Sequence, residues 1–206
     1  KTPFITGLVC HDCGSPVPGV SDDAEIQCDD CLKTPRPWTA GRSALLYSER
    51  GRQMVLSLKH GSRIELANAA ALWMTNAGRE MLHDGMLIAP VPLHWMRLFH
   101  RTFNQSAVLA QAIARKTGHD LCPDLLLRSK RTQPLDHKTA AARFETLENA
   151  IQIHPRRRHR VVGRKVLLID DVMTSGATLA AATHACKAAG SGDVFVLTLA
   201  RVVKEA

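Results

Sequence analysis

No apolar run in the chain approaches the ~20 residues that a membrane-spanning helix needs, which excludes helical membrane insertion. Aromatic side chains are scarce, with five Phe, three Trp and one Tyr making up 4% of 206 residues. An extended platform for stacking single-stranded bases would use more of them. Acids are the minority charge: 19 Asp and Glu stand against 27 Lys and Arg, a formal net charge of +8. That balance favours an anionic partner such as nucleic acid, a nucleotide, a sugar phosphate or pyrophosphate, without choosing among them. No internal repeat and no secretory leader is visible. The chain begins at Lys1 and not Met, so a removed leader stays open, and a cytoplasmic location is the default expectation.

What is present fits a folded protein. Hydrophobic residues are 45% and charged residues 22%, near the average for globular chains, which excludes disorder throughout. The length suits one domain, or one domain with a small module. Four of the six cysteines fall before residue 32, an asymmetry unlike a disulfide scaffold spread over a secreted fold. Residues 1–38 stand apart as a module with little helical periodicity, closed by Thr34-Pro35-Arg36-Pro37. Residues 39–206 alternate strand and helix signals. Strands are expected over Ala44 to Ser48, Met86 to Val91, Val166 to Ile169 and Asp193 to Leu199. Helices are expected around Met54 to Leu58, Ile64 to Met74, Ser106 to Lys116 (ended by Gly118) and Thr178 to Ala189 (ended by Gly190). Residues 122–160 lack a clean period. Alternation of this kind implies an α/β fold with a parallel sheet covered on both faces.

The cysteines are spaced Cys10-x2-Cys13, then fourteen residues, then Cys28-x2-Cys31. Each C-x2-C pair sets two thiolates on one tight turn, and two such knuckles complete a tetrahedron around Zn2+ at about 2.3 Å. Gly14 follows the first pair, where a knuckle often needs a positive φ. Free buried thiols or two disulfides are the alternatives. Four thiolates leave no open coordination position, so such a site is structural. Cys186, in the alanine-rich helix, reads as core, and Cys122 has no partner at useful spacing.

The most informative stretch runs from Val166 to Leu179. A buried strand leads into Asp170-Asp171, then Thr174-Ser175-Gly176-Ala177-Thr178, then a helix. Ligands of parallel sheets bind at the carboxyl ends of strands. A loop opening onto a helix N-terminus offers N–H groups to an anion, to which Thr174, Ser175 and Thr178 add hydroxyls. The carboxylates suit sugar hydroxyls or Mg2+, with the phosphate one turn further on. An ordinary strand-turn-helix with solvated aspartates is the plain alternative. Pro90-Val91-Pro92-Leu93-His94 and Asn104 frame a second strand-loop-helix, with His94, Arg97, His100 and Arg101 as cations; helix capping beside a solvated basic face is its alternative. Two further stretches are basic: Arg128, Lys130, Arg131, Lys138 and Arg143, and the run His154-Pro155-Arg156-Arg157-Arg158-His159-Arg160. The first suits a lid or a DNA contact; the second suits a nucleic-acid contact or a solvated loop.

Ile169 to Thr178 resembles the signature of the type I phosphoribosyltransferases. The resemblance implies that Asp170 and Asp171 hold the ribose hydroxyls of 5-phosphoribosyl 1-pyrophosphate and that Thr174, Ser175, Gly176, Ala177 and Thr178 wrap its 5-phosphate. Over the whole chain, four cysteines before such a domain resemble the ComF and GntX proteins, linked to DNA uptake in naturally competent bacteria. Leu58-Lys59-His60-Gly61, Ala89-Pro90-Val91-Pro92-Leu93-His94, Arg101-Thr102-Phe103-Asn104-Gln105-Ser106, Leu127-Arg128, Thr132-Gln133 and Arg143 carry this likeness; Thr102 departs from the family's usual glycine. The expected fold is then a type I phosphoribosyltransferase-like domain over 39–206 preceded by a zinc-ribbon-like module over 1–38. The expected reaction is displacement of pyrophosphate with Mg2+, with Asp170 and Asp171 catalytic, Arg101 and Lys59 on the pyrophosphate, and the acceptor unread. The alternative is a non-catalytic competence factor that binds single-stranded DNA and competence or recombination proteins through its basic loops.

Overall fold

The structure, a computed structural model, describes residues 2–19, 25–59, 64–93, 104–128 and 150–203. The elements in chain order are α1 (Asp29–Lys33), β1 (Ala40–Leu46), α2 (Glu49–Lys59), α3 (Ile64–Ala77), β2 (Leu87–Pro90), α4 (Gln105–Thr117), β3 (Asp120–Leu121), β4 (Leu126–Arg128), β5 (Ile151–Ile153), α5 (Arg158–Val161), β6 (Val166–Met173), α6 (Ala177–Ala188) and β7 (Val194–Arg201). Five strands form one sheet in the order β1-β7-β6-β2-β3, and every pairing in it is parallel. β4 and β5 form a separate antiparallel pair. The expected α/β architecture is therefore present. Among the described residues no helix is long and apolar enough to cross a membrane.

Strand alternation sorts the side chains onto two faces. Ile88, Leu167, Ile169, Phe195 and Leu197 point to one, where α2, α3 and α4 cover them. Ala67, Ala70 and Ala71 on α3 and Ala110 on α4 are small enough to bring the two helices close together. Leu87, Ala89, Val166, Leu168, Val194 and Val196 point to the other face. There α6, the β4–β5 pair and the cysteine segment share one core, which includes Cys10, Cys13, Cys31 and Trp38. Each fully buried Leu, Ile or Val contributes roughly 1.5–3 kcal/mol. Cys186 lies in this core, as expected, and burial pushes its thiol up to about 12.

Two strands run longer than the apolar pattern suggests. β1 starts at Ala40 because Ala40 to Ser43 pair with Phe195 to Thr198. β6 continues through Asp170, Asp171 and Val172 to Met173 because Asp170 pairs with Thr198 and Met173 with Arg201. The outer side of β1 is met by the segment before it: Ile5 donates to Ala44 O (3.0 Å), Leu46 donates to Pro3 O (2.9 Å) and Gly41 donates to His11 O (3.0 Å).

Candidate functional site

The chain leaves β2 through α4 toward β3, and leaves β6 through α6 toward β7, on the opposite side. β2 and β6 are neighbours, so the strand order reverses between them, and in sheets of this kind ligands bind at the carboxyl ends beside such a reversal. Val91 donates to Ile169 O (2.9 Å) at that edge. Asn104 caps α4 by accepting from Ser106 N (3.1 Å) while its amide donates to Val91 O (3.1 Å). The cap sets Ser106 at those strand ends, where its hydroxyl donates to Asp170 Oδ1 (2.8 Å). Asp171 N–H donates to the same oxygen (2.9 Å). Burial and the adjacent Asp171 carboxylate raise Asp170 to about 7, against the opposing pull of those two donors.

After Met173 the chain turns through Thr174, Ser175 and Gly176 into α6. Gly176 has φ +81°, and a Cβ there would lie 3.0 Å from the Trp38 ring, so this corner needs glycine on both counts. Ser175 Oγ accepts from Ala177 N–H at 3.4 Å. Thr174 is exposed, Ser175 and Thr178 are half-buried, and Gly176 and Ala177 are buried. Asp170, Asp171 and the 174–178 turn therefore stand together at one end of the sheet, with Ser106 beside them. Lys59 ends α2, and its side chain lies outside the described residues. So do His94, Arg97, His100, Arg101, Thr102, Lys130, Arg131, Lys138 and Arg143.

The four cysteines come together. Their Sγ atoms lie within 4.8 Å of one another, and Cys13 Sγ and Cys28 Sγ are 3.7 Å apart. Thiolates around one zinc at about 2.3 Å would stand about 3.8 Å apart, whereas a disulfide closes to about 2.05 Å. None of the four is joined in a disulfide, so the disulfide alternative does not hold. The sulfurs also receive donors: Cys28 N–H to Cys10 Sγ (3.3 Å) and Arg36 Nε to Cys31 Sγ (3.3 Å), with Ser15 Oγ 3.2 Å from Cys13 Sγ. This donor set fits a soft divalent metal ion, with no open position. Gly14 has φ +68°, and its Cβ would press on the Arg42–Ser43 backbone at 2.8–3.0 Å, so the knuckle seats directly against β1.

The arginine run is folded, not loose. Arg157 pairs with Asp124 (2.8 Å), while Arg160 (2.7 Å) and Arg164 (2.9 Å) pair with Asp120 at the start of β3. These guanidiniums hold both carboxyls below the usual range. Arg156, Arg158 and His159 are exposed. The Arg160 and Arg164 pairs lie at the amino end of the sheet, opposite Asp170. Sequence reasoning missed the β4–β5 pair, the Ser106–Asp170 bond and the contacts of Arg36 and Arg201 with the 174–176 turn; the capping pattern at Asn104 was the one signal for any of them.

No protein-family model matches the chain. It is 30% identical to DNA utilization protein YhgH of Salmonella typhi over 200 residues, 95% of this chain and 85% of that one. It is 24% identical to competence protein ComFC of Bacillus subtilis over 186 residues, 87% of this chain and 71% of the relative. A hypoxanthine phosphoribosyltransferase of Staphylococcus aureus is similar in structure with a TM-score of 0.37 and 15% identity, over 76% of this chain and 70% of that one. With likeness to YhgH spread along nearly the whole chain, and with its four cysteines drawn into one cluster, the chain belongs to the ComF family.

Proposed function

We propose that the chain binds 5-phosphoribosyl 1-pyrophosphate with Mg2+ at the carboxyl ends of β2 and β6, and acts there as a phosphoribosyltransferase-like protein. The observation that carries this reading is the carboxylate pair followed within one turn by a glycine-cornered helix start at the strand-order reversal. Asp170 and Asp171 would accept from the ribose hydroxyls and offset the positive charge that builds on the ring as pyrophosphate leaves. Thr174 to Thr178 would hold the 5-phosphate through N–H and hydroxyl donors. Arg101 and Lys59 are assigned to the pyrophosphate. In the transfer, an acceptor's lone pair forms a bond to the anomeric carbon while the carbon–oxygen bond to pyrophosphate breaks, and its electrons leave with pyrophosphate. Carboxylate oxygens suit Mg2+, which when bound would neutralise charge on the leaving group. The four cysteines are assigned to a structural Zn2+. YhgH and ComFC are named for DNA utilization and competence, and we infer a cytoplasmic role of the same kind, in handling DNA taken up during transformation.

Calorimetric and thermal titration with 5-phosphoribosyl 1-pyrophosphate tests the site. At a hundredfold excess over Kd, binding adds about 2.7 kcal/mol of stability. The expected result is Mg2+-dependent heat that disappears when Asp170→Asn and Asp171→Asn are combined, with the chain still folded. Unchanged affinity in that double variant would sink the assignment. A second reading, single-stranded DNA and partner proteins held by basic loops without transfer, is favoured by one observation: Arg156, Arg158 and His159 are exposed together.

A further inference from the structure

Two guanidiniums span the gap between the cysteine sulfurs and the turn before α6. Arg36 donates through Nε to Cys31 Sγ (3.3 Å) and through Nη1 to Ser175 O (2.8 Å). Its guanidinium lies 5.8 Å from the centre of the Trp38 ring, the ring that packs at Gly176. Arg201 closes β7 and is 3% exposed. It donates through Nη1 to Thr174 O (2.5 Å), Met173 O (3.3 Å) and Val202 O (2.6 Å), and its Nη2 stands 3.9 Å from Cys13 Sγ.

The charges match. Four thiolates around a divalent ion carry two net negative charges, and two guanidiniums stand against those sulfurs. A buried cation needs a counter-charge, and the described groups that meet Arg201 are backbone carbonyls and one sulfur. The geometry carries the effect onward. In a trans peptide the C=O and the next N–H point opposite ways. Pinning Thr174 O and Ser175 O on the cysteine side therefore aims the N–H groups of Ser175 and Gly176 away from it.

We propose that Arg36 and Arg201 are positioning residues that hold the 174–176 backbone ready for an anionic ligand, and that the metal-loaded four-cysteine centre anchors them there. This deepens the phosphate reading of the turn and rests on it. Neither arginine touches the ligand; each acts through the peptide groups it pins.

The test uses the full chain carrying Arg36→Met or Arg201→Met, with Arg36→Lys as the conservative comparison. Metal content, melting, amide relaxation of Ser175 and Gly176, and affinity for 5-phosphoribosyl 1-pyrophosphate are read on each. The Met variants are expected to keep metal and a cooperative melt. Their Ser175 and Gly176 order parameters should fall from about 0.85 toward 0.6 or below. Affinity should drop at least about tenfold, the size of losing a charge-assisted hydrogen bond. Lys, which reaches one acceptor at a time, should recover part of it. Chelating the wild-type metal should loosen the same two amides. Unchanged order parameters in both Met variants, or in chelated protein that stays folded, would overturn the proposal. Should chelation unfold the chain, the metal-loaded Met variants decide alone. If the amides loosen while wild-type protein binds no 5-phosphoribosyl 1-pyrophosphate, the phosphate assignment falls and the link between centre and turn stands.

Discussion

The surroundings of Asp170 oppose its charge. Its value of about 7 lies above the roughly 3.9 of an unfolded aspartate, so the native chain holds the proton more tightly. Protonation of Asp170 therefore adds stability that is fully present below about pH 4 and is lost as pH rises through about 7. Asp170→Asn removes the charge and keeps a carbonyl for Ser106. It should stabilise the ligand-free chain at pH 8 by about 1–3 kcal/mol and hardly at all at pH 4, as read from denaturation midpoints at the two pH values. A midpoint that falls equally at both would contradict the burial and repulsion argument. A site residue that costs stability when empty is what a charge kept for a ligand would do. The carboxylate pair and the cysteine quartet were legible in the sequence because each is a local spacing of chemically distinctive residues. Arg36 was not, since its carbonyl partner Ser175 lies 139 residues away in the chain.

Elements set the site as much as side chains do. α4 starts where Asn104 both caps it and reaches back to Val91, and the cap fixes Ser106 against Asp170. Asn104→Ala should cost about 0.5–2 kcal/mol through the lost cap. It should also raise Asp170 further, measured by carboxyl titration in NMR, because the Ser106 donor loses its mooring. An unaltered Asp170 titration would mean that Ser106 is held by other contacts. The strand and helix alternation was readable wherever apolar period and length agreed. β6 outran its apolar run because main-chain pairing to β7 ignores side-chain polarity at Asp170 and Asp171. The β4–β5 pair was invisible because three residues per strand carry no measurable period.

At the scale of the whole molecule, charge is distributed between two ends of one sheet. The carboxylate pair and its turn occupy the carboxyl end, and the arginine stretch runs to the amino end, half of it already neutralised by Asp120 and Asp124. Arg156→Glu combined with Arg158→Glu should thus leave sugar-phosphate binding intact. If the exposed arginines contact single-stranded DNA, the same variant should lower the salt-dependence slope by about 0.7 for each phosphate contact removed. Filter binding across a salt series reads that slope, and no binding at low salt would remove the DNA contact altogether. The cysteine segment belongs to this larger arrangement. Its buried sulfurs and Trp38 share a core with Val196 and Ala180, a long-range packing that no spacing rule reveals.

The main-chain groups of Pro3, Ile5 and His11 that meet β1 have one more effect. They occupy donors and acceptors that β1 would otherwise offer to another chain, and at the far rim β3 presents only two residues, too few to template a further strand. Among the described residues, neither rim of the five-stranded sheet offers a long free edge to a neighbour's backbone. Edge-to-edge pairing of that sheet between copies is thereby discouraged, and side chains and turns are left to grip a companion, where a single substitution can tune the hold.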